Sequence, residues 1–499
     1  MRPTPHRLNL AAVAAVHTGL RVWTFLASDN GIDFHHNAYD RGLFVTRWLA
    51  HFTPVPDVAY GPVSFYLDAG AMAMIGDPVL ATRLLSLVCA ILLIVPTYAL
   101  TRRLFGDTAA LGATALAAVH PHAMRMGAVG LEMAPYALIL LTAFWALARY
   151  DSAARRWPWA LVAGLLFTMA AGTRFDAWVV LPVVGVAALW RDWKNGVLFC
   201  LAAALFPAVW MAYNLKLYGD PVHFLTIAGN IAGVHMHALS IPERLLGWPK
   251  ILARYAPWPT LLFALAAVPL AWRVKATRPL LAAWTLTFAV FEIQTARAAM
   301  GWNETKYVMP LVAMMIPQAG AAVEAAWNRK GTLRAAAVLM VIAAAAWGVK
   351  VTAEDNVRFA APKGARQQAR FIAELPRDGR VVIGTSLQGY LLVHGKLLGG
   401  RALLPYPEDT TGRISADKLA SYFRDPETKY LAYHYEDPVD FAPVLELPRD
   451  AGVTPWRDFR LVRLFLSDDR QFAVYRVEAP PTDGEAREIP PGFEPPVGP

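Results

Sequence analysis

The stretch from Ser28 to Arg41 reads SDNGIDFHHNAYDR and is the densest polar constellation in the chain, holding Asp29, Asp33, Asp40, the pair His35 and His36, and Tyr39. A carboxylate fixed at a membrane surface accepts the proton of an incoming hydroxyl, provided burial and neighbouring charges keep its pKa usable. Asp33 is the candidate for that role, and a plain solvated loop is the competing reading. Cations suited to an anionic headgroup stand further along, at Arg125, Arg174 and Lys306. Guanidinium and ammonium groups preorganised there would stabilise charge developing on a departing phosphate. Glu132 and Asp176 are placed to orient an acceptor, to hold a metal or to neutralise an arginine, with Arg174 the obvious partner for Asp176.

Eight of the twelve histidines, among them His35, His36, His120 and His122, fall on segments that a membrane threading places outside. Imidazole with carboxylate suits Zn or Mn, so a divalent cation is a candidate ligand, although no pair has a recognised helical ligand spacing and no cofactor is required. The two cysteines, Cys89 and Cys200, sit in apolar runs and supply neither a disulfide framework nor a thiolate metal site. Neither a Gly-rich phosphate loop nor a Ser-His-Asp order occurs in a convincing context, which disfavours a nucleotide-sugar donor.

Composition names the elements that must position these groups. Of 499 residues, 56% are apolar and only 17% charged, against the roughly 25% charged of a soluble globular chain. The first 350 residues carry a net +12 and the last 149 a net −3. This pattern reads as a mainly α membrane body over 1–350 and a soluble α/β domain over 351–478, with a disordered Pro-rich tail at 479–499. About eleven apolar runs qualify as spans. The first, near 8–28, reads as an uncleaved span rather than a signal peptide, because Arg21 interrupts it and Phe25 occupies a position where cleavage wants a small residue.

With the N-terminus inside, every inner turn is basic, as in Arg102–Arg103 and Arg155–Arg156. The excess cations then belong to membrane topology, which removes the case for nucleic-acid binding. The acids gather on the opposite face, together with two long outer segments, 29–79 and 215–257, whose mixed aromatic, apolar and polar residues read as interfacial amphipathic helices. The C-terminal domain falls on that outer face too, with helices expected over 363–375 and 414–424 and strands over 380–384, 429–435, 459–466 and 471–477.

The order of a first span, an acidic outer loop with Asp33 and Tyr39, and then YGPVSFYLDAGAMAMIGDPVLATRLLSLVCAILLIVPTYALTRRLFGD resembles the polytopic GT-C glycosyltransferases. The branch it looks like contains protein O-mannosyltransferases and the aminoarabinose transferases that modify lipid A. GLEMAPYALILLTAFWALARY, GTRFDAW and KYVMPL are similar to further patterns of that family, and the resemblance runs over roughly residues 8–350.

The resemblance implies inverting transfer of a sugar from a polyprenyl-phosphate carrier to a lipid, glycan or protein hydroxyl at the outer face of a bacterial inner membrane. It gives the first-loop carboxylate to Asp33, and Lys306 matches the family's basic-Tyr pattern for the phosphate. The family's usual Asp-Glu pair is Asp33–Phe34 here, which keeps Asp29 and Asp40 as alternatives. Two readings of other classes stand beside this one: a transporter or flippase of a lipid-linked solute, and a scaffold without catalysis. A transporter concentrates its polar groups near the midplane, whereas here they collect at one face.

Overall fold

A computed structural model describes residues 5–28, 36–56, 61–151, 153–226, 240–297, 307–329, 331–358, 362–384, 388–397, 401–403, 414–436 and 441–479. The chain divides into two compact units, one of Met1–Asp29 and Arg41–Arg358 and the other of Asn30–Asp40 and Phe359–Pro499.

In the first unit, helix starts and stops follow the local chemistry. After α1 (Pro5–Ala27) and α2 (His36–Ala50), α3 (Pro62–Ile75) begins on a proline and stops at Gly76, whose φ of +82° is a left-handed closure that favours glycine. Asp77 caps α4 (Pro78–Leu92), its Oδ1 accepting from the amides of Val79 and Leu80 at 2.9 and 2.7 Å. The helix resumes as α5 (Ile94–Phe105) and ends at Gly106. Next come α6 (Asp107–Ala118), the short α7 (Pro121–Met126), α8 (Met133–Tyr150), α9 (Trp157–Thr173), α10 (Ala177–Arg191) and α11 (Trp193–Tyr218).

The segment 215–257, expected on the outer face, contributes α12 (Ile241–Tyr255), started by a capping box between Ser240 and Glu243. It buries Trp248, Ile251, Leu252 and Tyr255 on one side, while Ile241, Leu245 and Leu246 stay exposed. It meets α13 (Trp258–Arg273) at 111°, the geometry of a broken span or a re-entrant turn. The unit closes with α14 (Arg278–Ala296), α15 (Val308–Trp327) and α16 (Thr332–Arg358).

Among the described residues, six helical segments, α4 and α5 counted as one, or up to seven if the bent pair is one span, are long and apolar enough to cross a membrane. Eleven were expected. Each expected run does hold a helix, but several are short; the 12 residues of α6 extend only about 18 Å at 1.5 Å per residue. α15 is the core of the bundle, buried from Val308 to Val323. Close approach rests on small residues: a Cβ on Gly320 would lie 2.4 Å from the Ala109 carbonyl oxygen, and one on Gly348 1.8 Å from that of Val119.

The second unit is an α/β domain around a six-stranded sheet of order β2-β1-β3-β6-β5-β4, with β1 at Arg380–Val382, β2 at Ala402–Leu403, β3 at Thr428–His434, β4 at Val453–Trp456, β5 at Phe459–Leu466 and β6 at Phe472–Glu478. β1 runs parallel to β2 and β3, and the remaining pairs are antiparallel. α17 (Lys363–Glu374) lies across it, where the buried Gln368 donates from Nε2 to the carbonyls of Tyr433 and Ala473, partners in the β3–β6 register. The expected helices and the four expected strands are all present; β2, β4 and the short helices at Gln388–His394 and Ala442–Leu445 were not foreseen.

Candidate active site

Helical periodicity places two charges where apolar residues belong. In α2, Arg41 shares a buried stripe with Val45 and Trp48 at spacings of four and seven; in α3, Asp68 shares one with Phe65 and Met72 at spacings of three and four. Each burial is costly unless the charge is paired, and the two meet: Arg41 Nε lies 2.5 Å from Asp68 Oδ2, with the guanidinium 4.5 Å above the Phe65 ring.

Arg41 Nη1 also donates to Glu132 Oε2 at 2.8 Å, and the other oxygen of Glu132 accepts from Arg174 Nη1 at 2.6 Å. Arg174 then donates from Nε to Asp176 Oδ1 at 2.9 Å. The result is a continuous chain, Asp68–Arg41–Glu132–Arg174–Asp176, whose side chains are only 6–9% exposed. The backbone helps to place it. Glu132 and Asp176 stand directly before α8 and α10, where the helix dipole favours negative charge. Arg174 leaves α9 in an extended conformation and packs against the Tyr307 and Tyr136 rings, 4.8 and 5.9 Å from their centroids.

Among the described residues, three carboxylates face two guanidiniums, an acid-rich set. Asp176 Oδ2 is buried with no hydrogen-bond partner among the described residues. Such an oxygen is stabilised by a proton or by a hydrogen-bond donor brought by a ligand.

A second centre has the opposite balance. Asp355, near the end of α16, lies 3.9 Å from Arg125 of α7 and 3.7 Å from Arg254 of α12. Arg125 and Asp355 are buried, whereas the Arg254 side chain is 48% exposed. Among the described residues, two guanidiniums stand around one carboxylate beside the amphipathic helix α12, a cation-rich set.

Of the residues singled out from the sequence, Glu132, Arg174 and Asp176 come together, and Arg125 is paired with Asp355. Asp33, His35 and Lys306 lie outside the described residues. His36 opens α2, and its side chain is not among those described. His120 and His122, expected on an open outer segment, are fully buried, and the His122 ring packs against Tyr255 at 5.4 Å between centroids. No group of three or more His, Cys, Asp or Glu able to hold a metal occurs among the described residues. Arg41, Asp68, Arg254 and Asp355 were not singled out. For the first two the signal was present, a charge in register with an apolar helical stripe.

Known proteins share this arrangement of a body of long apolar helices and a small α/β unit. The family model of dolichyl-phosphate-mannose-protein mannosyltransferases matches residues 57–213. No curated protein sequence matches the chain significantly. Among solved structures, ArnT from Cupriavidus metallidurans, bound to undecaprenyl phosphate, superposes with a TM-score of 0.61 at 11% identity, over 94% of this chain and 97% of that one. The archaeal oligosaccharyltransferase AglB from Archaeoglobus fulgidus, in complex with an inhibitory peptide and a dolichol-phosphate, gives 0.56 at 12% identity, over 94% and 74%. The chain has the GT-C glycosyltransferase fold.

Proposed function

We propose that the protein is an integral membrane glycosyltransferase that moves a hexosyl or pentosyl group from a polyprenyl-phosphate carrier to a hydroxyl acceptor, at the outer face of a bacterial inner membrane. The observation that carries this reading is the match to ArnT over nearly the whole of both chains, that neighbour being bound to undecaprenyl phosphate. The charge distribution agrees with it. The cation-rich centre at Arg125 and Arg254 suits an anionic phosphodiester beside an interfacial helix, while the acid-rich centre suits neutral hydroxyls that donate hydrogen bonds.

In the reaction, the acceptor oxygen attacks the anomeric carbon and its proton passes to the Asp33 carboxylate. The bond from the anomeric carbon to the phosphate oxygen breaks, its electron pair leaves with the polyprenyl phosphate, and the configuration inverts. Lys306 and Arg125 support the leaving phosphate. Arg174, already engaged by two carboxylates, orients Glu132 and Asp176 toward the acceptor.

Purified protein in lipid nanodiscs, given a panel of labelled polyprenyl-phosphate sugars and membrane-extract acceptors, should transfer one label, and Asp33→Asn should abolish transfer while folding normally. No transfer from any donor, or transfer by Asp33→Asn at the parental rate, overturns the corresponding part of the reading.

A further inference from the structure

The two helices that start at Glu132 and Asp176 are joined again at their other ends. Asp151 follows α8 and Arg191 closes α10, and Arg191 Nη1 donates to Asp151 Oδ1 at 2.6 Å. Its Nη2 donates to the Lys275 carbonyl at 3.2 Å, in the turn before α14. With 18 residues in α8 and 15 in α10, this pair stands about 22–27 Å from the acid-rich centre at 1.5 Å per residue. That length is close to the roughly 30 Å depth of a bilayer's hydrocarbon.

Arg191 and Asp151 form the polar wall of a notch whose apolar wall includes Leu100 and Leu104 of α5, Leu147 of α8 and Leu280 of α14. Among the described residues the setting is cation-rich. The charges of Arg156 and Arg103 reach the Asp151 carboxylate together with that of Arg191, and Arg156 Nη1 stands 3.6 Å from Asp192 Oδ2. Asp192 is already engaged at the start of α11, where it accepts from Asn195 Nδ2 at 2.7 Å. The Arg156 side chain is 43% exposed and free to turn toward a ligand.

Exposed indoles give the depth of the notch. Trp190 and Trp193 bracket Arg191, Trp157 follows Arg156, and all three rings face outward, Trp190 at 89% exposure. Tryptophans exposed at helix ends sit at headgroup level. The bias of Lys and Arg toward inner turns accounts for cations at this end in general, but not for an apolar recess that opens beside three of them.

We propose that this notch binds an anionic glycerophospholipid from the leaflet opposite the acid-rich centre, its phosphate between Arg191 and Arg156 and its glycerol backbone on the leucine wall. Planar guanidiniums take phosphate oxygens in pairs, and basic recesses between helix ends select anionic headgroups. A zwitterionic headgroup would bring its ammonium against the same cations. A lipid seated there touches α5, α8, α10 and α14 at once, so its binding stabilises the bundle.

The test uses the full chain in nanodiscs of phosphatidylcholine, with and without phosphatidylglycerol, and reads lipid retention by native mass spectrometry beside the unfolding temperature. The wild type should retain phosphatidylglycerol in preference to phosphatidylcholine and unfold at a higher temperature in its presence. Arg156→Gln, a change at an exposed side chain, should weaken that retention roughly fivefold, the effect of one cation near a lipid surface. Arg191→Lys, which keeps the charge facing Asp151 but loses the fork, should weaken it too. Arg329→Gln, in the turn after α15 and outside the notch, should leave it unchanged, and inorganic phosphate added to phosphatidylcholine nanodiscs should not raise the unfolding temperature. Equal retention of the two phospholipids, wild-type retention in both notch variants, or an equal loss in Arg329→Gln would overturn the proposal. So would stabilisation by inorganic phosphate alone, or displacement of phosphatidylglycerol by undecaprenyl phosphate, which would give the notch to the carrier. None of these readouts requires sugar transfer, so the outcome is independent of the proposed reaction.

Discussion

Glu132 is shared between two arginines remote in sequence: Oε1 accepts from Arg174, 42 residues on, and Oε2 from Arg41, 91 residues back. Truncating it leaves two buried guanidiniums short of a partner. Glu132→Ala should destabilise the protein by about 3–5 kcal/mol, the cost of breaking a buried pair from one side. Glu132→Gln, which keeps one acceptor oxygen, should cost less. Because the partners act as a unit, Glu132→Ala with Arg174→Ala should cost less than the sum of the single changes. Thermal unfolding in detergent reads all of these, and strict additivity would show that the residues are not coupled.

How far the sequence specifies this arrangement depends on the range of the interaction. Hydrophobic runs located the helices because burial in lipid or core is a local, periodic property, and the strands at Thr428–His434 and Phe472–Glu478 were legible for the same reason. The strand β4 was missed because Pro455 argues against a strand; the sheet accommodates it by placing β4 at the edge, where a missing N–H breaks no central ladder. Apolarity reports burial without saying whether lipid or protein provides it, so apolar runs alone do not fix the number of spans, and α6 is buried by neighbours such as α15. The pairing of Arg125 with Asp355 joins positions 230 apart, and nothing local at either residue announces the other.

Two glycines in long apolar helices should respond oppositely to alanine. Gly348 of α16 passes so near the Val119 carbonyl oxygen that a methyl group would lie 1.8 Å away, whereas Gly19 of α1 has nothing within 4 Å of its would-be Cβ. Gly348→Ala should cost at least about 1–3 kcal/mol by overpacking. Gly19→Ala should be neutral or gain up to about 1 kcal/mol from helix propensity. Equal melting temperatures for the two variants would contradict this helix crossing.

The α/β unit carries a small acid-sensitive contact. Lys429 Nζ donates to Asp378 Oδ2 at 2.9 Å and the Tyr430 hydroxyl donates to Oδ1 at 3.1 Å, and these hold the Asp378 carboxyl below the usual carboxylate range. A carboxyl depressed in the folded state contributes stability above its unfolded pKa of about 3.9, and that contribution is lost as pH falls through the lower folded value. The group is half exposed, so solvent screening keeps the effect under about 1 kcal/mol. Asp378→Asn should therefore flatten the fall in unfolding temperature below about pH 4, and high salt should shrink the difference from wild type. An unchanged acid limb would remove this contact from the stability of the unit.

Arg254 and Asp355 make opposite predictions about donor handling. Arg254 is the accessible cation of its centre, and Asp355 competes with any incoming phosphate for both guanidiniums. A charge-assisted hydrogen bond contributes about 1.5–3 kcal/mol, so Arg254→Gln should raise donor KM roughly ten- to a hundredfold with kcat largely kept. Asp355→Asn removes the negative charge between Arg125 and Arg254 and should lower donor KM, at the expense of stability because the buried Arg125 loses an ion-pair partner. Initial rates against donor concentration, measured alongside melting temperature, separate the two effects. If Arg254→Gln instead lowers kcat at constant KM, the phosphate does not sit at this centre, and the cations around Asp355 serve only to join α7, α12 and α16.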